Sequence, residues 1–363
     1  MKRFSEILSI AAIALLPAAA NAQTTQRLDA SKANDYGIIY SLPRTVLDIT
    51  IEAEHTEKAP GEFFNYANLK LGRNDAVTKP SRKVDIKSVT IRPRGIADDE
   101  NRWLVQFKAG STPYFILGEN NCPVAVNTDE IVSVDYPPLP VAVAAQPTPL
   151  ETPAAAQAVT QEMTLGSSLS KRADLAAQRI FELRENRSDL ISGQADNTPP
   201  DGKSLQLALD NLSAQEAALT AMFTGTEKKY TTVSTVTFEP DSESISNEIF
   251  VRLSPVDGVV DANDLSGAPI YISLDILRQG ELPVNEKGEV KTFPKGGLAY
   301  NIPGTALVTL TYESREIARK EIELAQLGVT FGLDPKLFTD KKQPSKLQLD
   351  PVTGAIILLG PAQ

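Results

Sequence analysis

Leu47-Asp48-Ile49-Thr50-Ile51-Glu52-Ala53 alternates apolar and polar residues without a break. That is the period of a strand with one face in a core and the other toward water. Trp103, Val105, Phe107 and Ala109 alternate in the same way. Between them the parity slips, with Val84 and Ile86 on one face and Val89 and Ile91 on the other. One extra residue near Ser88, a β-bulge, restores a common face. Asp98-Asp99-Glu100-Asn101 reads as the turn of a hairpin leading into the Trp103 strand. Pro60-Gly61, then Phe63, Phe64, Ala67 and Leu71, then Gly72 predicts a short helix closed by a glycine. Residues 23–135 are therefore read as an N-terminal β-rich domain.

Working outward, residues 136–160 are rich in Pro, Ala and Val, with Pro137, Pro138, Pro140, Pro147, Pro149 and Pro153. Such a stretch favours extended, polyproline-like backbone and reads as a linker, with a ligand for a partner's aromatic groove as the minority reading. Residues 161–226 read as a helical hairpin. Leu169, Ala173, Ala176, Ile180, Leu183, Arg187 and Leu190 form a heptad seam ending at Gly193, a coiled-coil-like pattern. A second seam, Leu205, Leu209, Leu212, Glu216, Leu219 and Phe223, ends at Gly225, with Asp201 as its N-cap. If Ile191 meets Lys203 across the connection, Glu216 falls opposite Arg179, its natural partner. Arg187 then falls near Leu207 and must reach solvent or dock onto one of the β domains. Residues 227–363 return to short strands: Thr231–Phe238, Ile249–Leu253, Ile270–Leu274, Ala306–Tyr312, Ile317–Leu324 and Val329–Phe331, with a tail hairpin from Leu347 to Leu358. The spacing suits a sandwich or barrel. The fold class is thus α+β: two β-rich, sandwich- or barrel-like domains joined by a Pro-rich linker and an antiparallel helical hairpin.

The first 22 residues read as a signal peptide. Lys2 and Arg3 precede a short apolar stretch from Ile7 to Leu16, and Ala20-Asn21-Ala22 supplies small residues for cleavage before Gln23. The expectation is a periplasmic or secreted protein, since no later apolar run is long enough to cross a bilayer as a helix, about 20 residues. The net charge of −10 argues against a phosphate backbone as partner. A single Cys, Cys122, excludes an intramolecular disulfide, and a single His, His55, excludes a multi-His metal site.

Few residues point to chemistry. G-x-S-x-G, Walker A and G-x-G-x-x-G are all missing from the sequence. Ser168-Leu169-Ser170-Lys171 matches S-x-x-K, but its place at the start of an amphipathic helix makes the serines caps. Cys122 and His55 could form a thiolate–imidazole pair only if the fold joined them; the competing reading is a small packed thiol. Asp257, Asp261, Asn263 and Asp264 offer oxygen ligands for calcium, but Leu265 breaks the pattern and a solvated turn fits better. Glu239, Asp241, Glu243 and Glu248 read as a solvated acidic face. Aromatic residues are few, and Trp103, the one Trp, alternates as a core residue. No catalytic, cofactor-binding or metal residue is assigned.

Three groups of residues together carry a resemblance. They are Gly37 to Thr45 followed by Pro60-Gly61, Phe63, Tyr66-Ala67 and Leu71-Gly72; then Ile180-Phe181, Leu183-Arg184, Arg187, Leu190 and Gly193; then Asp201-Gly202 and Phe223-Thr224-Gly225. In this order they are similar to an exported Bacteroidota family, domain of unknown function 4831. The resemblance spans nearly the whole chain after residue 22. It implies a Gram-negative envelope location and brings no activity, cofactor or catalytic residue. The functional expectation is a non-catalytic binding or scaffold protein of the envelope, with an envelope protein or a glycan as partner and the oligomeric state open. The alternative is a periplasmic hydrolase of glycan or peptide that works through carboxylates. A concave site with convergent acids would favour the enzyme, and an open sheet edge or apolar patch the binder.

Overall fold

The computed structural model describes residues 36–107, 113–197, 199, 202–340 and 342–362. The signal-peptide reading, Ala109 and Asp201 lie outside them. The chain is strand-rich, with several antiparallel sheets. Its elements in order are β1 (Tyr36–Ala59), α1 (Ala67–Leu71), β2 (Ser81–Phe107), β3 (Phe115–Leu117), β4 (Pro123–Val126), α2 (Pro153–Ala158), α3 (Gln161–Leu165), α4 (Leu169–Ser192), α5 (Gly202–Thr224), β5 (Thr226–Phe238), β6 (Ile245–Ser254), β7 (Gly258–Val260), β8 (Ala268–Arg278), β9 (Leu298–Tyr312), β10 (Arg315–Leu333), α6 (Lys336–Thr339), β11 (Ser345–Leu349) and β12 (Ile356–Pro361).

The opening heptapeptide lies in β1, where Leu47, Ile49, Ile51 and Ala53 are all buried. The bulge near Ser88 is present: Glu52 pairs with Ser88 and Ala53 with Ile86, so Lys87 is the extra residue. Val84, Ile86, Val89 and Ile91 thereby all face one core. The extruded Lys87 and neighbouring Ser88 reach back to the buried Glu52 carboxylate, each at 2.8 Å, which holds that carboxyl below its ordinary range. The short helix after Pro60-Gly61 is also present, closed by Gly72 at φ +65°.

The expectation of two β domains, one on each side of a linker, does not describe the sheets. β5 follows the helices but pairs with β1 from Leu47 to Ala59, giving the order β2-β1-β5. β11 pairs with β4, giving the order β12-β11-β4-β3. β1 is 24 residues long and has two edges to satisfy, so it takes β2 from before the helices and β5 from after them. The three-stranded sheet packs on a five-stranded one, β10-β9-β8-β6-β7, around the first core. A second core gathers Tyr40, Leu42, Val105, Leu298, Phe338 and Leu347.

Both long ribbons, β1/β2 and β9/β10, run through both cores, and each changes register on the way. On β1/β2 the shift lies between Ser41 and Pro43, whose partners are Arg102 and Ala97. Asp98 to Asn101 are therefore a wide bulge extruded from one continuous strand. They are not the hairpin turn expected, because β1 templates both halves of β2 and leaves the halves no reason to pair with each other. On β9/β10 the shift lies between Leu324 and Val329, opposite Gly304 and Ile302. The strands expected at Ile317–Leu324 and Val329–Phe331 are thus one strand with a bulge.

The Pro-rich segment forms no helix or strand from Tyr136 through Thr148 and lies against the β body. Tyr136 donates to the Pro93 carbonyl at 3.0 Å, and its ring lies under both Arg92 and Lys320. Val143 exchanges main-chain and side-chain bonds with Thr231 of β5. The linker reading stops too late, since Pro153 begins α2. Proline is tolerated at a first helical position, where its missing N–H has no intrahelical partner to lose.

α4 and α5 lie side by side, but in a register other than the one expected. Glu216 takes Arg184 at 2.6 Å and Arg187 at 2.7 Å. Arg179 binds Glu182 on its own helix, and Arg187 sits beside Ser213 rather than near Leu207. Arg187 therefore does not need solvent. The seam is buried at only one end, where Ala173, Ala176, Ile180, Leu183, Leu219 and Phe223 meet Phe63, Ala67 and Met163 from the short helices. Those outside contacts set the register, and they are invisible to a heptad count.

Candidate functional site

The two register shifts meet at one level of the molecule, and side chains stitch them together. The Thr45 N–H donates to Gln326 Oε1 at 3.2 Å, and Gln326 Nε2 donates to the carbonyls of Thr45 at 2.9 Å and Pro240 at 2.8 Å. The Thr45 hydroxyl donates to the Val352 carbonyl and accepts from the Ala325 N–H, both at 3.1 Å. Buried Asn301 donates to the Pro43 and Thr353 carbonyls, and its own oxygen accepts from the Thr330 hydroxyl. A bulge bends its strand away from the ladder. Two at one level open a cleft, one part of about 210 Å³ walled by Asn101, Asn301 and Thr330, the other of about 480 Å³ walled by Asp98, Asp99, Glu100 and Asp241. Arg44 lines both parts.

Three of the four carboxylates of this cleft already have work. Asp98 accepts from the Glu100 N–H at 3.0 Å and so shapes its own bulge. Asp99 is paired with Arg102, and Asp241 with Arg44 at 3.1 Å. Among the described residues no cluster of His, Cys, Asp and Glu has the geometry of a metal site. The cleft can offer hydrogen bonds to a polar ligand from Arg44, Asn101 and Glu100.

The residues singled out from the sequence are placed as follows. Cys122 is buried, its thiol directed to the Asn120 carbonyl at 3.7 Å. Burial, helped by the charge of Asp98, pushes the thiol up to about 12. His55 is buried on β1, its Nε2 2.9 Å from the Thr232 hydroxyl and its ring stacked on Tyr230 at 4.6 Å. The two are not brought together, and each is committed to its own packing. Cys122 is therefore expected to react slowly with a disulfide reagent in the native protein at pH 8 and to react fully once unfolded. Rapid native labelling would show an accessible thiolate instead.

Ser168 caps α4, accepting from the Lys171 N–H at 3.2 Å. The loop at 257–264 is built from within: Asp261 accepts from Asn263, Asp264 from Ser266, and Arg252 donates to the carbonyls of Ala262 and Gly267. Of the acidic run, Asp241 joins the cleft. Sequence reading did not find Thr45, Asn301 or Gln326, because single polar residues in strands carry no local mark of a partner some 280 residues away.

A different surface lies at the end of the four-stranded sheet. β12 is its outer strand, and its only hydrogen-bonded strand partner among the described residues is β11. Ile357, Leu358 and Leu359 are exposed to 47%, 37% and 43%. No charged side chain follows Asp350 in the sequence.

The model of a family described as Domain of unknown function (DUF4831) matches residues 36–357. The chain belongs to this family. The family match takes in both ribbons, the helices and the cleft between the bulges. No curated protein and no solved structure matches the chain. No helix among the described residues is long and apolar enough to cross a membrane.

Proposed function

We propose that this DUF4831 member is an exported envelope protein that binds rather than transforms its partner, and that it takes an extended segment of a partner protein along β12. The observation that carries the reading is the edge itself. An edge strand presents a row of unpaired N–H and C=O groups, and soluble proteins usually blunt it with charge, proline or a covering element. Here three consecutive aliphatic residues are exposed, and only Pro361 interrupts the donors. An added strand would gain main-chain hydrogen bonds, with the aliphatic side chains supplying selectivity. Export rests on Lys2, Arg3, the apolar Ile7–Leu16 stretch and Ala20-Asn21-Ala22.

Binding is favoured over carboxylate-dependent hydrolysis because Asp98, Asp99 and Asp241 are each held by a partner within the fold. The test is affinity capture from envelope extract with the chain starting at Gln23, run beside Leu358→Lys. A partner that adds a strand at this edge should lose about tenfold in affinity with Leu358→Lys, while the melting transition stays in place. Equal recovery by both forms would remove β12 as the docking edge. Release of sugar or peptide from envelope material, abolished by Asp98→Asn, would establish the hydrolase instead.

A further inference from the structure

Trp103 is the one Trp of the chain, and one face of it is covered by a ring from a loop. Phe293 stacks on it with centroids 5.2 Å apart and planes 10° from parallel. Phe293 belongs to the connection between β8 and β9, a stretch whose regular pairing is a single bridge, Val284 to Val290. This connection turns on itself through Asn285, which accepts from the Lys287 and Glu289 N–H groups. Leu282, Val284 and Val290 are exposed, and Phe293 is the loop's only aromatic residue.

The seat that Phe293 occupies is built to the thickness of a ring. A Cβ on Gly332 would come within 2.7 Å of Phe293 Cζ, and one on Gly297 within 3.2 Å of Cε1. Phe331 meets the ring from the side, at 6.0 Å and 65°. Even in its seat Phe293 remains 39% exposed, so the seat opens to solvent. Polar groups border it on the side of the bulge cleft. Asn101 accepts from Trp103 Nε1 at 2.5 Å and reaches the Thr330 hydroxyl at 3.4 Å, a long contact that leaves its amide open to a better partner. Asn101 and Thr330 are also walls of the 210 Å³ part of the cleft.

We propose that Trp103 is the platform of a saccharide-binding site, with Phe293 as its intramolecular occupant. A flat, apolar ring seat beside amide and hydroxyl groups is the chemistry that receives a pyranose: one C–H face on the indole, the hydroxyls toward Asn101 and Thr330. The neighbouring Asp98, Asp99 and Glu100 select against acidic sugars, so the ligand is a neutral glycan. Phe293 competes for the seat, and only the fraction of molecules with the loop displaced can bind. An aromatic pair is worth no more than about tenfold in such an equilibrium. This site is separate from β12 and stands or falls independently of it.

The test uses the full chain and four neutral probes: cellotetraose, chitotetraose, maltotetraose and mannotetraose, each titrated to about 10 mM. The readouts are the emission of Trp103 and its single indole N–H resonance. In wild type at least one probe should shift the indole resonance saturably. Phe293→Ala should red-shift the emission without ligand and bind the same probe about tenfold tighter. Asn101→Ala should weaken it. If none of the four probes moves the indole resonance of wild type, or the emission of a folded Phe293→Ala, the proposal is overturned. Should Phe293→Ala fail to fold, the wild-type resonance alone decides.

Discussion

Gly328→Ala is expected to lower the unfolding free energy by about 4 kcal/mol or more, the range reserved for changes that force backbones apart. Gly328 lies in the β10 bulge, where three stretches of main chain cross. A Cβ there would stand 2.0 Å from the Ile302 carbonyl oxygen and 2.8 Å from Pro303 Cα. Both obstacles are backbone, so no side chain can turn aside. Gly280 would meet the same Ile302 oxygen at 2.1 Å, and Gly304 the carbonyl oxygens of Arg278 and Leu327 at 2.6 Å. The shift that lets β9 and β10 pass from the first core to the second thus depends on missing side chains. Gly288 is the control. It sits at φ +79° with nothing within 4 Å of a new Cβ, so Gly288→Ala should cost only about 1 kcal/mol. Denaturant titration of both variants measures the contrast, and equal losses would contradict the crossing as described.

Ile180→Asp is the second large effect. Ile180 is fully buried where α4 meets α5, α3 and the turn that carries Phe63. The substitution loses the burial of an isoleucine, about 2–3 kcal/mol, and leaves a carboxylate without a hydrogen-bond partner, which adds several more. The helical part should lose its ellipticity at ambient temperature or be held only by protonating the new acid. Arg179→Ala should cost less than about 1 kcal/mol, since its bond to Glu182 is a partly exposed pair on one helix. A native far-UV spectrum and unchanged protease resistance for Ile180→Asp would mean that this contact is not the core of the helices.

Several elements were legible because their cause is local. The Val84–Ile91 parity slip announced the bulge at Lys87, since a strand can bury both halves only by adding a residue. Gly72 and Ser168 marked helix ends because a left-handed cap and a capping hydroxyl are properties of single residues. Asp98 to Asn101 misled for the opposite reason. Four polar residues satisfy the rules for a turn, and nothing nearby records that β1 continues past them on the other side.

By itself the sequence determined that the chain would be strand-rich with helices inserted, where one bulge and the four helix ends at Gly72, Ser168, Gly193 and Gly225 would fall, and that neither an intramolecular disulfide nor a multi-histidine metal centre could form. Periodicity, caps and residue counts suffice for these, because each is set within a few residues or by the inventory alone. Only the tertiary structure decided that β5 completes the sheet of β1, that Glu216 takes Arg184 and Arg187, that Thr45 and Gln326 stitch two bulges into a cleft, and that Phe293 lies on Trp103. Each of these joins residues distant in the chain. Such pairings are chosen by which edges and faces remain unsatisfied once the local elements exist, a condition of the whole chain that no window of sequence contains.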